Sequence, residues 1–368
     1  MTQRLPPSLT PLDTVLATLL KGVAPVAPVE LSLIEATGCI SAGMPLLPAH
    51  PPRDIAAVDG WALSANDLVG ASSYSPVLLA ERPVWVDAGD VMPAGCDCVL
   101  DIDAVEVVGP LAQVLAEGVP GQGVGRRGSH IADNSPVVAE GYPVRAAALL
   151  LARVAGADGL YVRRPRLRIV NVPGATAAME MIADLARAAG MDVSAHEAGT
   201  RDATSIAEAL DVTACDLLLM VGGSGVGRAD AAVTALAQRG AELAHGLALQ
   251  PGRTAAAGRL GKVPVVALPG APSQALAVWL ALVLPLVDRL SARQPRRTVT
   301  LPLARKIASS VGIAEIGLLT EEHETWMPLA VGAWPLHAIA RAEAWLLVPA
   351  SDEGFAAGEP VSAYLMRE

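Results

Sequence analysis

Between Arg166 and Leu290, short apolar runs alternate with amphipathic stretches, and this alternation most limits what the chain can fold into. The apolar runs fall at 167–172, 192–195, 216–221 and 263–268. Helix-spaced segments fall at 176–189, 204–210, 231–238 and 273–290, with Gly190 and Gly240 closing the first and third. Strands that are each followed by a helix predict a parallel, doubly wound sheet. Such sheets bind ligands outside the carboxyl ends of their strands, so the strand-to-helix turns are where chemistry is expected.

The richest of these turns follows the apolar run Leu217-Leu218-Leu219-Met220-Val221. It reads Gly222-Gly223-Ser224-Gly225-Val226-Gly227-Arg228-Ala229-Asp230. Glycines let a backbone come close to a ligand, and free N–H groups beside a helix N-terminus suit an anion. Asp230 is placed to cap or begin the next helix. The plain alternative is a tight turn with a capping Asp. Leu268-Pro269-Gly270-Ala271-Pro272-Ser273 repeats the arrangement after the following strand, with Ser273 as the N-cap. Two such turns on adjacent strands converge on one crevice and suit a phosphate or a pterin. Between them, Gln250-Pro251-Gly252-Arg253 offers a guanidinium that can hold an anion bidentately. A solvated surface charge is the simpler reading of Arg253.

The rest of the chain has a different texture. Thr10-Pro11-Leu12-Asp13 reads as an N-cap, a first-turn Pro and an acidic capping partner. Leu12, Val15, Leu16, Leu19 and Leu20 then share a helical face that ends at Gly22, and 29–33 alternates like a strand. From 42 to 143, Pro and Gly recur between short apolar runs at 77–79, 84–86 and 137–138, the pattern of a small β domain. A helix over 146–156 leads out of it. After the linker Gln294-Pro295-Arg296-Arg297, strand-like runs at 299–301, 344–348 and 361–365 predict a C-terminal β domain. The expected organisation is a helical and extended part (1–41 with 144–165), an inserted β domain (42–143), an α/β domain (166–293) and a C-terminal β domain (298–368).

Composition removes several function classes. Lys+Arg 27 against Asp+Glu 37 leaves a net charge of −10, which disfavours a general nucleic-acid binder. Aromatics are 3% of the chain and hydrophobic residues 52%, so the cores must be aliphatic. The mean hydropathy of +0.43 raises the question of a membrane. However, the longest apolar run, 275–287, is broken by Pro285 and falls short of the ~20 residues of a span. Cys39, Cys96, Cys98 and Cys215 fit neither a disulfide framework nor a zinc spacing. Buried thiols in a reducing cytosol, and hence a soluble cytoplasmic protein, are expected. The six histidines contain no i,i+4 pair, which disfavours zinc or copper. Asp59, in Val58-Asp59-Gly60-Trp61, and the carboxylates of 87–103 are turn and loop charges by default. Carboxylates of this kind also suit Mg²⁺ when a ligand's phosphates complete the shell.

Together these residues resemble the molybdopterin molybdenumtransferase family, the MoeA proteins and the gephyrin E domain. The Asp-Gly-aromatic turn at Asp59, Gly89 with Pro93-Ala94-Gly95-Cys96-Asp97, Gly125-Arg126-Arg127-Gly128, the loop ending in Asp230, the Pro-Gly-Arg turn and the Leu-Pro-Gly turn stand in the family's order. The resemblance implies a multidomain α/β plus β fold: a central doubly wound, MogA-like molybdopterin-binding domain with an inserted β domain and a C-terminal β barrel. It implies a homodimer whose cleft joins the α/β domain of one subunit to the β domain of the other. It also implies Mg²⁺- and molybdate-dependent conversion of adenylylated molybdopterin into molybdenum cofactor. Asp59, Asp202 and Asp230 then match catalytic positions, with Asp202 and Asp230 toward the metal. Gly222, Gly223, Ser224, Gly225, Gly227, Pro251, Gly252, Arg253, Pro269, Gly270 and Ser273 match the molybdopterin-binding turns.

The departures fall among charged positions. Ala88 stands for a Thr, Ser129-His130 for Glu-Asp, and Val172-Pro173-Gly174-Ala175 for Thr-Gly-Asp-Glu. Gln250 and Arg253 stand for two Lys, and Ala271 for an Asn. Each lost charge-assisted contact costs about 1.5–3 kcal/mol. The expected function is molybdenum cofactor biosynthesis by binding molybdopterin, with molybdate insertion weakened or altered. The alternative is a non-catalytic cofactor-binding partner or chaperone of a molybdoenzyme.

Overall fold

The computed structural model describes residues 3–108 and 111–366. The chain forms two compact units. One comprises Met1–Gly43, Glu140–Arg145 and Gly159–Glu368; the other comprises Met44–Ala139 and Ala146–Asp158.

In the first unit, six strands make a sheet in the spatial order Asp192–Glu197, Arg166–Asn171, Leu217–Val221, Val263–Leu268, Ala256–Leu260, Glu242–His245. All five residues of Leu217–Val221 are buried, as a strand covered on both faces must be. Its two neighbours run parallel to it. The sheet is nevertheless mixed, not wholly parallel. Ala256–Leu260 runs antiparallel to Val263–Leu268 because only Gly261 and Lys262 separate them, and a two-residue turn cannot make a crossover. Helices cover both faces, so the fold is doubly wound. Leu167, Ile169, Leu219 and Val221 pack with Leu12–Leu20, Thr176–Ala188 and the long helix 272–291. The alternate residues Val170, Leu218 and Met220 pack with Ala203–Ala209 and Ala232–Gln238.

One local expectation fails against tertiary pairing. Thr10 does not cap the first helix: Thr10 and Pro11 pair with Leu247 and Ala248, and the N-cap is Pro11, without a side-chain bond. Pro285 interrupts the apolar run without ending the long helix. The turn Trp279–Val283 widens into a π-helical segment, and Leu284–Ser291 continues beyond it. A widened turn accommodates the ring and missing N–H of a helix-interior Pro. The resulting helix Pro272–Ser291 is long and apolar enough to cross a membrane, but 72% of its apolar window is buried within the fold.

The C-terminal strands Thr298–Pro302, Ala314–Glu322, Thr325–Val331, Ala344–Val348 and Pro360–Leu365 form one curled sheet. It closes through Trp326, which bridges Leu303, accepts through its carbonyl from Ala304 N at 2.9 Å and donates through Nε1 to Val299 O at 3.3 Å. In the second unit, Gly60–Leu63 lies between Val84–Val86 and Cys98–Leu100, and Val105–Val108, Leu111–Ala116 and Ser72–Leu79 form a second small sheet. The run at 137–138 is not a strand; the pairing there is Ser135–Pro136 with Leu46–Leu47.

Candidate functional site

Asn171, Val221 and Leu268 end three adjacent strands in register. The turns that follow therefore leave the sheet side by side. Their contact is tight: a Cβ on Gly222 would lie 2.8 Å from the Ala175 Cβ, and one on Gly270 would lie 3.4 Å from both Ala175 and the Gly222 Cα. Gly222 (φ +94°) and Gly223 (φ +69°) turn the chain in a conformation that glycine tolerates best.

Asp230 lies within this loop but does not cap the helix after it. Its Oδ2 accepts from Gly227 N at 2.9 Å and its Oδ1 accepts from Arg201 Nη2 at 3.2 Å. Arg201 Nη1 donates in turn to Pro173 O at 2.8 Å, which ties two neighbouring turns together. The helix Ala232–Gln238 has Ala231 at its N-cap with no side-chain bond from that residue. Its first free N–H groups, from Val233 and Thr234, instead reach Gln3 Oε1 at 2.7 and 3.2 Å.

Asp202 is the N-cap of Ala203–Ala209. Its Oδ1 takes the N–H groups of Thr204 and Ser205, each at 3.0 Å, and its Oδ2 takes the Thr200 hydroxyl. The Thr200 bond, followed by the backbone bonds, holds this carboxyl below its ordinary value. Both oxygens of Asp202 and of Asp230 are thus engaged by protein donors. Among the described residues no three His, Cys, Asp or Glu side chains gather around a common point. Each of these carboxylates keeps at least one lone pair, so the two could supply only part of a magnesium shell, and a ligand's phosphates and water would have to supply the rest.

In the Pro251-Gly252-Arg253 turn, Gly252 (φ +126°) lets the chain pass where a Cβ would meet Val278 Cγ2 at 2.8 Å. The Arg253 carbonyl accepts from Leu247 N at 2.9 Å, while its side chain is exposed and makes no bond to a described residue. Ser273 is not an N-cap. The helix starts at Pro272 after Ala271, because Pro is suited to the first helical position and Ser273 already lies inside the first turn. Asn171 and Ser224 are buried, and neither the Asn171 amide nor the Ser224 hydroxyl has a partner.

In the second unit, Asp59 is exposed and accepts from Ala88 N at 2.7 Å, which closes the turn before Gly60–Leu63. Gly60 is required there because a Cβ would collide with the Leu100 carbonyl. Arg127 pairs with Asp133 at 3.0 Å. His50 and His130, eighty positions apart in sequence, come within 6.0 Å ring to ring. Cys39, Cys98 and Cys215 are buried free thiols and Cys96 is half-buried. Burial pushes Cys98 up to about 11.

A cleft of about 840 Å³ lies elsewhere in the first unit, lined by Leu16, Leu284, Arg289, Trp345 and Tyr364 among others. It shares no lining residue with the glycine turns, and size alone does not make it the reactive site. Sequence reasoning missed Gln3, His245 and Asn171, since none sits in a motif.

An α/β sheet with close-packed glycine turns at its carboxyl edge, in a chain that also carries a curled β sheet and a second unit rich in β strands, defines an α/β protein of composite architecture. Residues 10–156 match the MoeA N-terminal region (domain I and II), and residues 175–289 match the family described as "Probable molybdopterin binding domain". Molybdopterin molybdenumtransferase 2 of Mycobacterium tuberculosis is 28% identical over 302 residues, 70% of this chain and 74% of that protein. The molybdopterin molybdenumtransferase of Synechococcus elongatus is 26% identical over 356 residues, 84% of this chain and 87% of that one. The crystal structure of the molybdopterin biosynthesis MoeA protein from Pyrococcus horikoshii OT3 superposes with a TM-score of 0.71 at 21% identity, covering 97% of this chain and 100% of that one, which shows a common fold. The chain belongs to the MoeA family.

Proposed function

We propose that this protein works in molybdenum cofactor biosynthesis as a MoeA-type, transferase-like protein that binds molybdopterin at the carboxyl edge of its α/β sheet. The observation that carries the reading is the packing of Gly222, Gly270 and Ala175 into one cluster, within a segment that matches a molybdopterin-binding domain. This packing brings two strand-to-helix turns side by side at the sheet's carboxyl edge, where backbone N–H groups suit an anionic ligand. Arg253, exposed on the neighbouring Pro-Gly turn, is the cation suited to a phosphate group. The reading extends to adenylylated molybdopterin as the bound form, molybdate as co-substrate and a cytoplasmic homodimer, which the family resemblance implies. Magnesium, which the family resemblance also implies, would share Asp202 and Asp230 with their backbone, hydroxyl and guanidinium donors and take the rest of its shell from the ligand's phosphates and water.

A purely non-catalytic partner of a molybdoenzyme is not favoured, since the matched relatives are named as transferases. Calorimetric titration with molybdopterin and complementation of a transferase-deficient strain test the two halves of the proposal. Binding with complementation supports a transferase. Binding without it limits the protein to holding the pterin, and absence of binding removes the reading.

A further inference from the structure

We propose that Gln3 and His245 are positioning residues for the glycine-rich loop. In this proposal they hold three successive carbonyl groups of the loop, so that the N–H groups of the same peptides stay free for the ligand. The inference rests on the reading above that this loop receives molybdopterin.

The geometry begins with one side chain. Gln3 is buried, and its Nε2 donates to Gly223 O at 3.0 Å and to Gly225 O at 2.7 Å. Its Oε1 accepts from Val233 N and Thr234 N, at the far end of the same loop. One amide therefore clamps the loop at both ends, across more than 200 positions of sequence. The carbonyl between the two clamped ones, Ser224 O, lies 2.9 Å from His245 Nε2. A carbonyl can only accept, so Nε2 carries the hydrogen and donates.

Three consecutive carbonyls are thus held by side chains outside the loop. In a trans peptide the C=O of one residue and the N–H of the next lie in one plane and point in opposite directions. Fixing the carbonyls of Gly223, Ser224 and Gly225 therefore turns the N–H groups of Ser224, Gly225 and Val226 the other way. No described residue accepts from those three N–H groups. Ser224 is wholly buried, and its hydroxyl is also without a partner. Buried donors without acceptors are rare in folded proteins. Only Ser224 is buried among the three, with Gly225 half-buried and Val226 exposed; successive N–H groups without acceptors along a glycine loop are the arrangement that receives an anion's oxygens. Neither Gln3 nor His245 needs to touch the ligand for this. Their bonds keep a flexible Gly-Gly-Ser-Gly segment in the one conformation that presents the donors together, so that binding does not have to order it.

The test uses the full-length protein with molybdopterin as the titrant. Gln3→Met keeps length and packing but removes every polar contact; it should weaken binding about tenfold, the loss expected when such hydrogen bonds go. His245→Leu should weaken binding by a similar factor. His245→Gln, whose Nε2 can still donate to Ser224 O, should restore near-native affinity, a rescue that a merely space-filling role for His245 would not give. Backbone hydrogen exchange across 223–235 in the ligand-free protein should quicken in Gln3→Met. Unchanged exchange with unchanged affinity would overturn the proposal. Tighter binding in Gln3→Met would also overturn it, by making Gln3 a competitor for the loop. If the wild-type protein fails to bind molybdopterin, the functional reading falls, and the exchange result alone decides whether Gln3 holds the loop.

Discussion

The two glycine turns on the central strands look alike in sequence and are held by opposite means. The turn after Val263–Leu268 is supported locally: Gly270 packs on its neighbours, Pro272 starts the helix, and Ala275 N reaches Ala271 O at 2.9 Å. The turn after Leu217–Val221 is longer, and none of its own side chains caps the helix it leads into. Apart from Asp230, which accepts from Gly227 N within the loop, its support comes from Gln3, Arg201 and His245, all outside the loop in sequence. A turn that serves packing can be written in a few adjacent residues. A turn whose backbone donors find no partner among the described residues is here steadied largely by side chains far away in sequence.

The contrast is sharpest at the first glycine of each turn. Gly222→Ala combines a positive φ with a Cβ 2.8 Å from Ala175, and should destabilise the protein by about 2–4 kcal/mol. Gly270→Ala meets only ordinary contacts at 3.4 Å and should cost less than about 1 kcal/mol. Denaturant unfolding of both variants measures the difference, and equal losses would erase the distinction between the turns. Arg253→Ala should weaken molybdopterin binding by about 1.5–3 kcal/mol, with the melting temperature unchanged. Unaltered titration would leave the anion to the first turn alone and make Arg253 a surface charge.

Arg201→Met removes the tie between Pro173 O and Asp230. Since the Arg201 side chain is 43% exposed, the loss should be only about 0.5–1.5 kcal/mol. Faster amide exchange should appear around 227–230 and not around 269–273. The smallest effect concerns Asp202, which caps the helix directly after Arg201. Its folded pKa is depressed below 3.8, so its contribution is fully present above the unfolded value and is lost as pH falls through the folded one. Asp202→Asn should therefore melt below the wild type at neutral pH, with the gap closing as the pH falls below the ordinary value of 3.8. A gap that stays constant would show that the carboxylate's charge plays no part in the cap.

Much of the fold was legible because it is written in local periodicity. Leu217–Val221, Thr176–Ala188 and Ala232–Gln238 each stand within a residue or two of where apolar spacing and the stopping glycines put them. The hairpin of Ala314–Glu322 and Thr325–Val331 went unseen for a definite reason. Its turn carries His323 (φ +53°) and Glu324 (φ +57°) where glycine or asparagine is the usual signal. Thr10 and Ser273 carry capping chemistry that goes unused, since the first is drawn into a strand pair with Leu247 and the second lies after a first-turn Pro.

What the sequence by itself determined is the set of turns: their glycines, their places after apolar strands and their order along the chain, which together mark the MoeA family. Only the tertiary structure decided which side chains those turns would use. The resemblance marks Asp202 and Asp230 as carboxylates toward a metal, and only folding shows that the Thr200 hydroxyl, the Arg201 guanidinium and backbone N–H groups also lie against their oxygens. Gln3 carries no signal in its own neighbourhood, because the carbonyls and N–H groups that define its role lie more than 200 positions away. Backbone periodicity is a property of neighbouring residues. A hydrogen-bond partner is a property of whatever the completed fold brings within about 3 Å, and that is settled only when the chain has packed.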